Sequence, residues 1–177
     1  MSGPDVIRTA LRVARETIDK AAAVTDTKPT PAEKEAGNYV KGRFNWNGLP
    51  IVVENAKGST RRGGDPGKEW AVVMPATYGY FGRTVGADED HVDVYMGPNP
   101  LSPTVWIIDQ VDCKTGKFDE HKAMLGFDSK EQACEVYCKA FSDAKGMQRM
   151  GGVTPMKIGA FKRWLRKGDC TKALTDC

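Results

Sequence analysis

Residues 77–96 read TYGYFGRTVGADEDHVDVYM, and this stretch decides which fold the chain adopts. Its two ends, TYGYF and HVDVYM, are rich in β-branched and aromatic residues, a composition typical of strands. Asp88, Glu89, Asp90 and Asp93 bring four acids into six positions between and within these ends. The stretch therefore predicts two strands joined by a turn that gathers carboxylates.

Runs of the same composition lie on both sides of this stretch, separated by Gly, Pro and Asn. They are GLPIVVEN (48–55), KEWAVVM (68–74) and PTVWIIDQVD (103–112). Because the connections are short, they lack the long crossover helices of βαβ units. We expect a mainly β domain with flanking helices, of the barrel or sandwich kind.

Helical patterns lie at the two ends of the chain. Apolar residues from Asp5 to about Val24 recur at helical spacing with basic residues between them, which predicts an amphipathic helix. The polar segment 25–37 is interpreted as a linker. Residues 129–146 predict a helix capped by Ser129, and residues 154–168 a second one with Thr154 as cap and Pro155 at its first position. The predicted organisation is a leader and linker (1–36), a compact domain (37–168) and a tail (169–177).

Composition excludes several classes of protein. The 177 residues are 40% hydrophobic and 28% charged, which is ordinary for a globular chain. A net charge of +3 gives no strong nucleic-acid signal, and no apolar run approaches the length of a membrane span. Five cysteines without a regular framework fit reduced thiols. We expect a cytoplasmic protein.

The acids of residues 88–93 carry the strongest chemical signal. Carboxylates this close together repel one another unless a cation compensates their charge. Magnesium prefers carboxylate oxygens, and manganese can substitute for it. An EF-hand calcium loop is disfavoured because its Gly at position six and Glu at position twelve are missing. The alternative is a solvated acidic turn.

Two further segments carry charges suited to a phosphate site. Glu54 ends the run IVVE, and AKGSTRRGGDPGK (56–68) follows with arginines and with glycines that expose backbone N–H groups. The alternative for this segment is a flexible surface hairpin. VDCKTGKFDEHK (111–122) predicts a second hairpin that carries several more acids and Lys122.

Tyr78-Gly79-Tyr80 followed by Asp88-x-Asp90-x-x-Asp93 resembles the core motif of the soluble family I inorganic pyrophosphatases. More closely, residues 37–168 resemble the pyrophosphatase-like domain encoded by bacteriophages and mobile elements. Thr77 stands where the family has Asn, and His91 where it has Pro. Neither change removes a metal ligand.

The resemblance implies a five-stranded, OB-like closed barrel and Mg²⁺-dependent hydrolysis of pyrophosphate to two phosphates, with Mn²⁺ as a substitute cation. It implies Asp90 as the general base, with Tyr78 and Lys122 as further catalytic residues. The implied metal ligands are Asp88, Asp93, Asp112, Glu54 and either Asp119 or Glu120, where the spacing to Lys122 favours Glu120.

For substrate binding the resemblance implies Arg61 or Arg62, with Lys68. In the family, a lysine that lies further toward the C-terminus also binds phosphate. Lys162 is favoured here over Lys139 with Tyr137, because it lies farther from Lys122 along the chain. His91 and His121 are less favoured as metal ligands, since magnesium sites seldom use imidazole.

Two alternatives stay open for the function. One is a hydrolase of another phosphoanhydride or a nucleotide, and the other is a non-catalytic phage structural or interaction module that keeps the fold. The leader helix is predicted to dock on a partner or on a second copy of the chain. If the chain is phage-encoded, its location is the bacterial cytoplasm, with the virion as the alternative.

Overall fold

The computed structural model describes residues 3–84, 86 and 90–175. Nine strands and four α-helices lie in these ranges. The strands are β1 (Arg43–Trp46), β2 (Leu49–Asn55), β3 (Thr60–Gly63), β4 (Trp70–Val73), β5 (Thr77–Phe81), β6 (Asp93–Met96), β7 (Thr104–Val111), β8 (Phe118–Leu125) and β9 (Met150–Lys157). The helices are α1 (Gly3–Val24), α2 (Pro31–Ala36), α3 (Lys130–Lys139) and α4 (Ile158–Lys167), and a 3₁₀ turn covers Met147–Arg149.

Seven strands form one mixed sheet in the order β1-β2-β5-β6-β8-β7-β9, and β3 pairs with β4 in a separate hairpin. Neighbouring strands run antiparallel except β6 and β8, which are parallel. The parallel pair forms because β7 crosses to the far side of β8, so that β8 returns directly beside β6. This places Asp93 opposite Lys122.

The two faces of the sheet have different neighbours because successive side chains in a strand point to opposite faces. Phe81, Val94 and Leu125 belong to the main apolar core, which α1 joins through Ile18 and α4 through Phe161. The second core contains Tyr78, Tyr95, Ile108 and Met124 with Tyr137 of α3. No helix among the described residues is both long and apolar enough to cross a membrane.

The mainly β architecture with helices is confirmed, but the five-stranded closed barrel is not. The sheet has seven strands, and its order begins at β1 and ends at β9 without a closing pair among the described residues. The helix predicted from Ser129 begins as expected, since the Ser129 side chain accepts a hydrogen bond from the Gln132 N–H at 3.2 Å. It ends at Lys139 rather than near Gly146.

The predicted helix start at Thr154 is wrong. Strand β9 continues to Lys157, where Thr154 pairs with Ile107 and Pro155 with Trp106 of β7. Proline lacks an N–H group, but β9 is an edge strand and needs no partner on its outer side. Pairing with β7 therefore outweighs the local helix-start pattern, and α4 begins only at Ile158.

The segment interpreted as a linker contains the short helix α2. Thr30 caps it: the Thr30 hydroxyl accepts from the Glu33 N–H at 3.3 Å, while a Glu33 carboxylate oxygen accepts from the Thr30 N–H at 2.8 Å. Such a reciprocal capping box satisfies two N–H groups that a helix start leaves unpaired. The leader also packs on the sheet, because Ala21 and Ala22 of α1 are buried with Val53 of β2.

A buried carboxylate in β7 holds the C-terminal segment against the sheet. Asp109, 1% exposed, accepts hydrogen bonds from the backbone N–H groups of Leu174 and Thr175, the second at 2.8 Å. On its other side, Nδ1 of His121 lies 3.0 Å from Asp109 Oδ1. Burial alone would raise the pKa of Asp109, but the hydrogen bonds from His121, Thr175 and Leu174 lower it to about 2.

We expect Asp109→Asn to lower the free energy of unfolding at neutral pH by roughly 2 kcal/mol, because the folded-state pKa lies below the ordinary value of 3.8. A lowered carboxylate pKa stabilises the fold above the ordinary value, and this contribution disappears as the pH falls from about 4 to about 2. Urea unfolding of wild type and variant across this range is the measurement, with the exposed Asp65→Asn as control. A gap between wild type and Asp109→Asn that stays constant down to pH 2 would contradict the assignment.

Candidate active site

Three adjacent strands bring the predicted catalytic residues onto one face of the sheet. Tyr80 of β5 pairs with Asp93 of β6, and Asp93 pairs with Lys122 of β8. Tyr78 lies two residues before Tyr80 and Glu120 two before Lys122, so their side chains share this face. The period-two alternation that builds the core therefore also gathers the polar groups.

Lys122 is the centre of this group. Its Nζ lies 2.5 Å from Asp93 Oδ2 and 2.8 Å from Glu120 Oε1, and donates to the Tyr78 hydroxyl at 3.3 Å. The Tyr78 hydroxyl itself donates to Asp93 Oδ2. Only 7% of the Lys122 side chain is exposed. Two carboxylates and a phenol thus converge on one buried ammonium.

The ionisation of these groups follows from their surroundings. Burial would lower the pKa of Lys122, but attraction to Tyr78, Asp93 and Glu120 raises it well above its usual range. Burial raises the pKa of Tyr78 well above its usual range, against the opposing effect of the Lys122 charge. At neutral pH the ammonium is charged and the phenol is protonated, so both are hydrogen-bond donors.

The β3–β4 hairpin adds a second cation beside this face. The Arg61 guanidinium carbon lies 4.7 Å from the ring centroid of Tyr78 and 5.5 Å from that of Trp70. Burial would lower the pKa of Arg61, but Tyr78, Tyr95, Asp93 and Glu54 together raise it. Arg61, rather than the exposed Arg62, is therefore the arginine beside Asp93 and Tyr78.

Sequence reasoning missed the group that orients Glu120. Gln110 of β7 lies opposite Glu120 in the hairpin, and its Nε2 donates to Glu120 and to Asp119, each at 3.0 Å. Its Oε1 accepts from the Tyr137 hydroxyl of α3 at 2.8 Å. The only signal in the sequence was one amide among the apolar residues of VWIIDQV. Tyr137, which the sequence offered as an alternative to the pair at Lys162, does reach this network.

Three further predicted residues, Asp90, Glu54 and Asp112, have partners close to them in the chain or on a neighbouring segment. Asp90 lies three residues before the start of β6, and its Oδ1 accepts from the His91 N–H at 2.8 Å. Glu54 pairs with Lys41 at 3.0 Å. Asp112 lies in the β7–β8 turn, where its Oδ1 accepts from the N–H groups of Lys114 and Thr115.

Two predicted phosphate ligands are not brought to Lys122. Lys68 is exposed in the β3–β4 connection. Lys162 lies on α4, whose Phe161 belongs to the core on the opposite face, and its Nζ is near Gly48 in the β1–β2 turn. Asp88, predicted as a metal ligand, lies outside the described residues.

Both histidines contact other groups of the fold. His91 stacks on Tyr80, with ring centroids 4.6 Å apart and planes 5° from parallel. Its Nδ1 lies 2.8 Å from the Thr84 carbonyl oxygen, which can only accept, so Nδ1 carries the proton. His121 faces the C-terminal segment, with Nε2 2.8 Å from the Lys172 carbonyl oxygen. Both ring nitrogens of His121 thus face oxygen atoms of the fold, which leaves neither of them for a metal.

The carboxylates on this face can be compared with the ligands that a divalent cation requires. Within residues 3–84, 86 and 90–175, no three His, Cys, Asp or Glu residues are close enough to form a metal cluster. Asp93 and Glu120 nevertheless converge on a single positive charge, which Lys122 supplies. Carboxylate oxygens are the ligands that magnesium and manganese prefer. Asp93 and Glu120 thus bring two carboxylates of suitable chemistry to this face, and no third His, Cys, Asp or Glu among the described residues completes a cluster with them.

A family model described as Inorganic Pyrophosphatase matches residues 31–166. The chain belongs to the inorganic pyrophosphatase family. This family match covers more than half of the chain and includes α2 and every strand of the sheet. Neither the curated proteins nor the solved structures gave a match. The family resemblance drawn from Tyr78 to Asp93 is thus confirmed.

We expect Lys122→Met to lower the free energy of unfolding by about 3 kcal/mol, because the substitution leaves the Asp93 and Glu120 carboxylates without their shared cation. Chemical denaturation in EDTA is the measurement. The matched control is Lys139→Met, which removes an exposed i,i+4 pair with Glu135 and should change little. Equal effects of the two substitutions would show that Lys122 does not stabilise this face.

Proposed function

We propose that the chain hydrolyses inorganic pyrophosphate to two phosphates in a reaction that depends on Mg²⁺. The observation that carries this proposal is the convergence of Asp93, Glu120 and Tyr78 on Lys122, beside Arg61. The site offers carboxylates for a divalent cation and cationic donors for phosphate oxygens. Family membership independently supports a pyrophosphatase-like hydrolase.

Asp93 and Glu120 are proposed to hold the cation, together with Asp88. A bound divalent cation supplies a water of lowered pKa and neutralises charge on the phosphate oxygens. Further ligands predicted from the family are Glu54, Asp112 and Asp119. Mn²⁺ is proposed as a substitute for Mg²⁺, since it accepts the same oxygen ligands.

Asp90 is the proposed general base, which accepts the proton of the attacking water. The water oxygen forms a bond to one phosphorus, and the bond from that phosphorus to the bridging oxygen breaks. The leaving phosphate keeps the bridging oxygen and takes up a proton. Phosphoryl transfer depends mainly on positioning and on stabilisation of charge, so donors fixed by the sheet suit this reaction.

Lys122, Tyr78 and Arg61 are proposed to donate hydrogen bonds to phosphate oxygens. Lys122 keeps its positive charge because of its raised pKa. Tyr78 keeps its proton for the same reason. The planar guanidinium of Arg61 can bind two oxygens of one phosphate. Arg62, Lys68 and Lys162 stay predictions from the family resemblance, as further residues that bind phosphate.

The location and the partners of the chain are proposed on narrower grounds. The bacterial cytoplasm is the proposed location, because it suits a hydrolase of pyrophosphate. A phage or mobile-element source is proposed from the sequence resemblance. Helix α1 exposes Val6, Ile7 and Val13, which supports docking of the leader on a partner or on a second copy.

We expect the wild-type chain to release phosphate from pyrophosphate when Mg²⁺ is present and to stop when EDTA removes it. Asp90→Asn and Asp93→Asn should each lower kcat/KM at least about 100-fold, because one removes the base and the other a metal ligand. A colorimetric phosphate assay provides the measurement. Glu131→Gln, an exposed acid of α3, is the control and should retain full activity.

Circular dichroism of each variant separates loss of chemistry from loss of fold. Release by folded Asp90→Asn and Asp93→Asn at the wild-type rate would overturn the proposed roles. A folded wild-type chain that releases no phosphate with either Mg²⁺ or Mn²⁺ would overturn the proposed function itself.

A further inference from the structure

A cleft of about 690 Å³ opens beside Arg61, between the N-terminal segment and the β3 strand. It is lined by residues 27–29, 34 and 39 of the N-terminal segment and by residues 54, 55 and 58–62, which run from the end of β2 into β3. Its volume lies within the range of about 300–1,000 Å³ that small-molecule sites occupy. The charged side chains in its lining are Lys28, Lys34, Arg61, Arg62 and Glu54.

These charges are unbalanced. Four cations line the cleft with one acid, and that acid, Glu54, already pairs with Lys41 at 3.0 Å. Lys34 Nζ donates to the Arg62 carbonyl oxygen at 2.5 Å, which fastens α2 to the hairpin. Burial and repulsion by Arg61 lower the pKa of Lys34, although Glu54 opposes them. Lys28, Lys34 and Arg62 are exposed, so water screens part of their repulsion, and an anion bound among these cations would lower it further.

The cleft is continuous with the proposed reaction centre through Arg61. That side chain lines the cleft and also lies over the Tyr78 ring, whose hydroxyl donates to Asp93. An anion that has its reacting phosphate at Asp93 and its next phosphate at Arg61 therefore extends toward Lys34. Pyrophosphate, with two phosphates, has no third group to place there.

We propose that the cleft binds the third phosphate of a substrate with three or more consecutive phosphates, and that Lys28 and Lys34 recognise it. This inference rests on the proposed function, since it uses the same reaction centre. The water oxygen bonds to the terminal phosphorus, the bond to the first bridging oxygen breaks, and the shortened chain leaves with that oxygen and a proton. Inorganic triphosphate thus yields phosphate and diphosphate without any oxidation or reduction.

Lys28→Ala and Lys34→Ala test this inference. Each should raise the KM for inorganic triphosphate about fivefold, the effect of losing one partly screened cation contact to phosphate. The KM for pyrophosphate should change less than about twofold, because pyrophosphate does not reach these lysines. Lys34→Arg should restore triphosphate affinity, and Lys20→Ala, an exposed lysine of the same leader, is the matched control.

Equal changes of KM for both substrates, or no change for either, would overturn the inference even if pyrophosphate is hydrolysed. If the wild type hydrolyses neither substrate, the proposed function fails, and calorimetry still tests the cleft. Triphosphate should then bind the metal-free chain about fivefold more weakly after Lys34→Ala than before. Unchanged binding would overturn the inference.

ATP serves as a second probe in both measurements, because its three phosphates present the same chemistry. Loss of ATP affinity in Lys34→Ala, matching the loss for triphosphate, would assign the cleft to nucleoside triphosphates as well. Loss for triphosphate alone would assign it to linear inorganic phosphates. Loss for neither would overturn the inference.

Discussion

The buried ammonium of Lys122 is the interaction on which the other features of this protein depend. Taking an ammonium and two carboxylates out of water is costly unless each finds a partner. Asp93 and Glu120 meet that requirement at 2.5 and 2.8 Å. Their approach needs β6 and β8 side by side, which the parallel pairing provides. The polar cluster therefore depends on the order of the strands in the sheet.

The cluster is also rigid and partly buried, which suits the proposed reaction centre. Charges held in a partly buried site act more strongly than charges in water, and they need no rearrangement when a substrate binds. Gln110 and Tyr137 extend this rigidity, because Gln110 donates to the same Glu120 oxygen that Lys122 contacts and is itself held by the Tyr137 hydroxyl. On the opposite face, Asp109 and His121 do the same for the C-terminal segment. Alternate residues of β7 and β8 thus serve two separate networks.

The sequence predicted those parts of the site that lie in short, local patterns. Tyr78, Asp93, Glu120 and Lys122 were all named from the family resemblance, with Glu120 favoured by its spacing to Lys122, and the structure gathers them. Lys162 was chosen by its separation along the chain, which says nothing about the face of the sheet on which α4 packs. Gln110 was missed because its role comes from the cross-strand register. Pro155 was misread because an edge strand tolerates the same residue that often begins a helix.

The structure of the N-terminal segment also depends on contacts that its local sequence does not indicate. Its polar composition and prolines indicated a linker, but the capping box of Thr30 and Glu33 makes a short helix, and Lys34 joins that helix to the β3–β4 hairpin. No local pattern in residues 25–37 could predict a contact with Arg62. Tertiary packing thereby places cations beside the proposed phosphate-binding residues, which the acidic motif alone does not provide.

The central proposal is that Asp93 and Glu120, which share Lys122, hold a divalent cation beside the side chains proposed to donate hydrogen bonds to phosphate. Crystals soaked with Mn²⁺ and phosphate test it directly, since manganese gives an anomalous scattering signal. We expect an anomalous peak bound by carboxylate oxygens of Asp93 and Glu120, with phosphate contacting Arg61 or Lys122. Manganese bound only elsewhere on the chain, with both carboxylates still paired to Lys122, would contradict it.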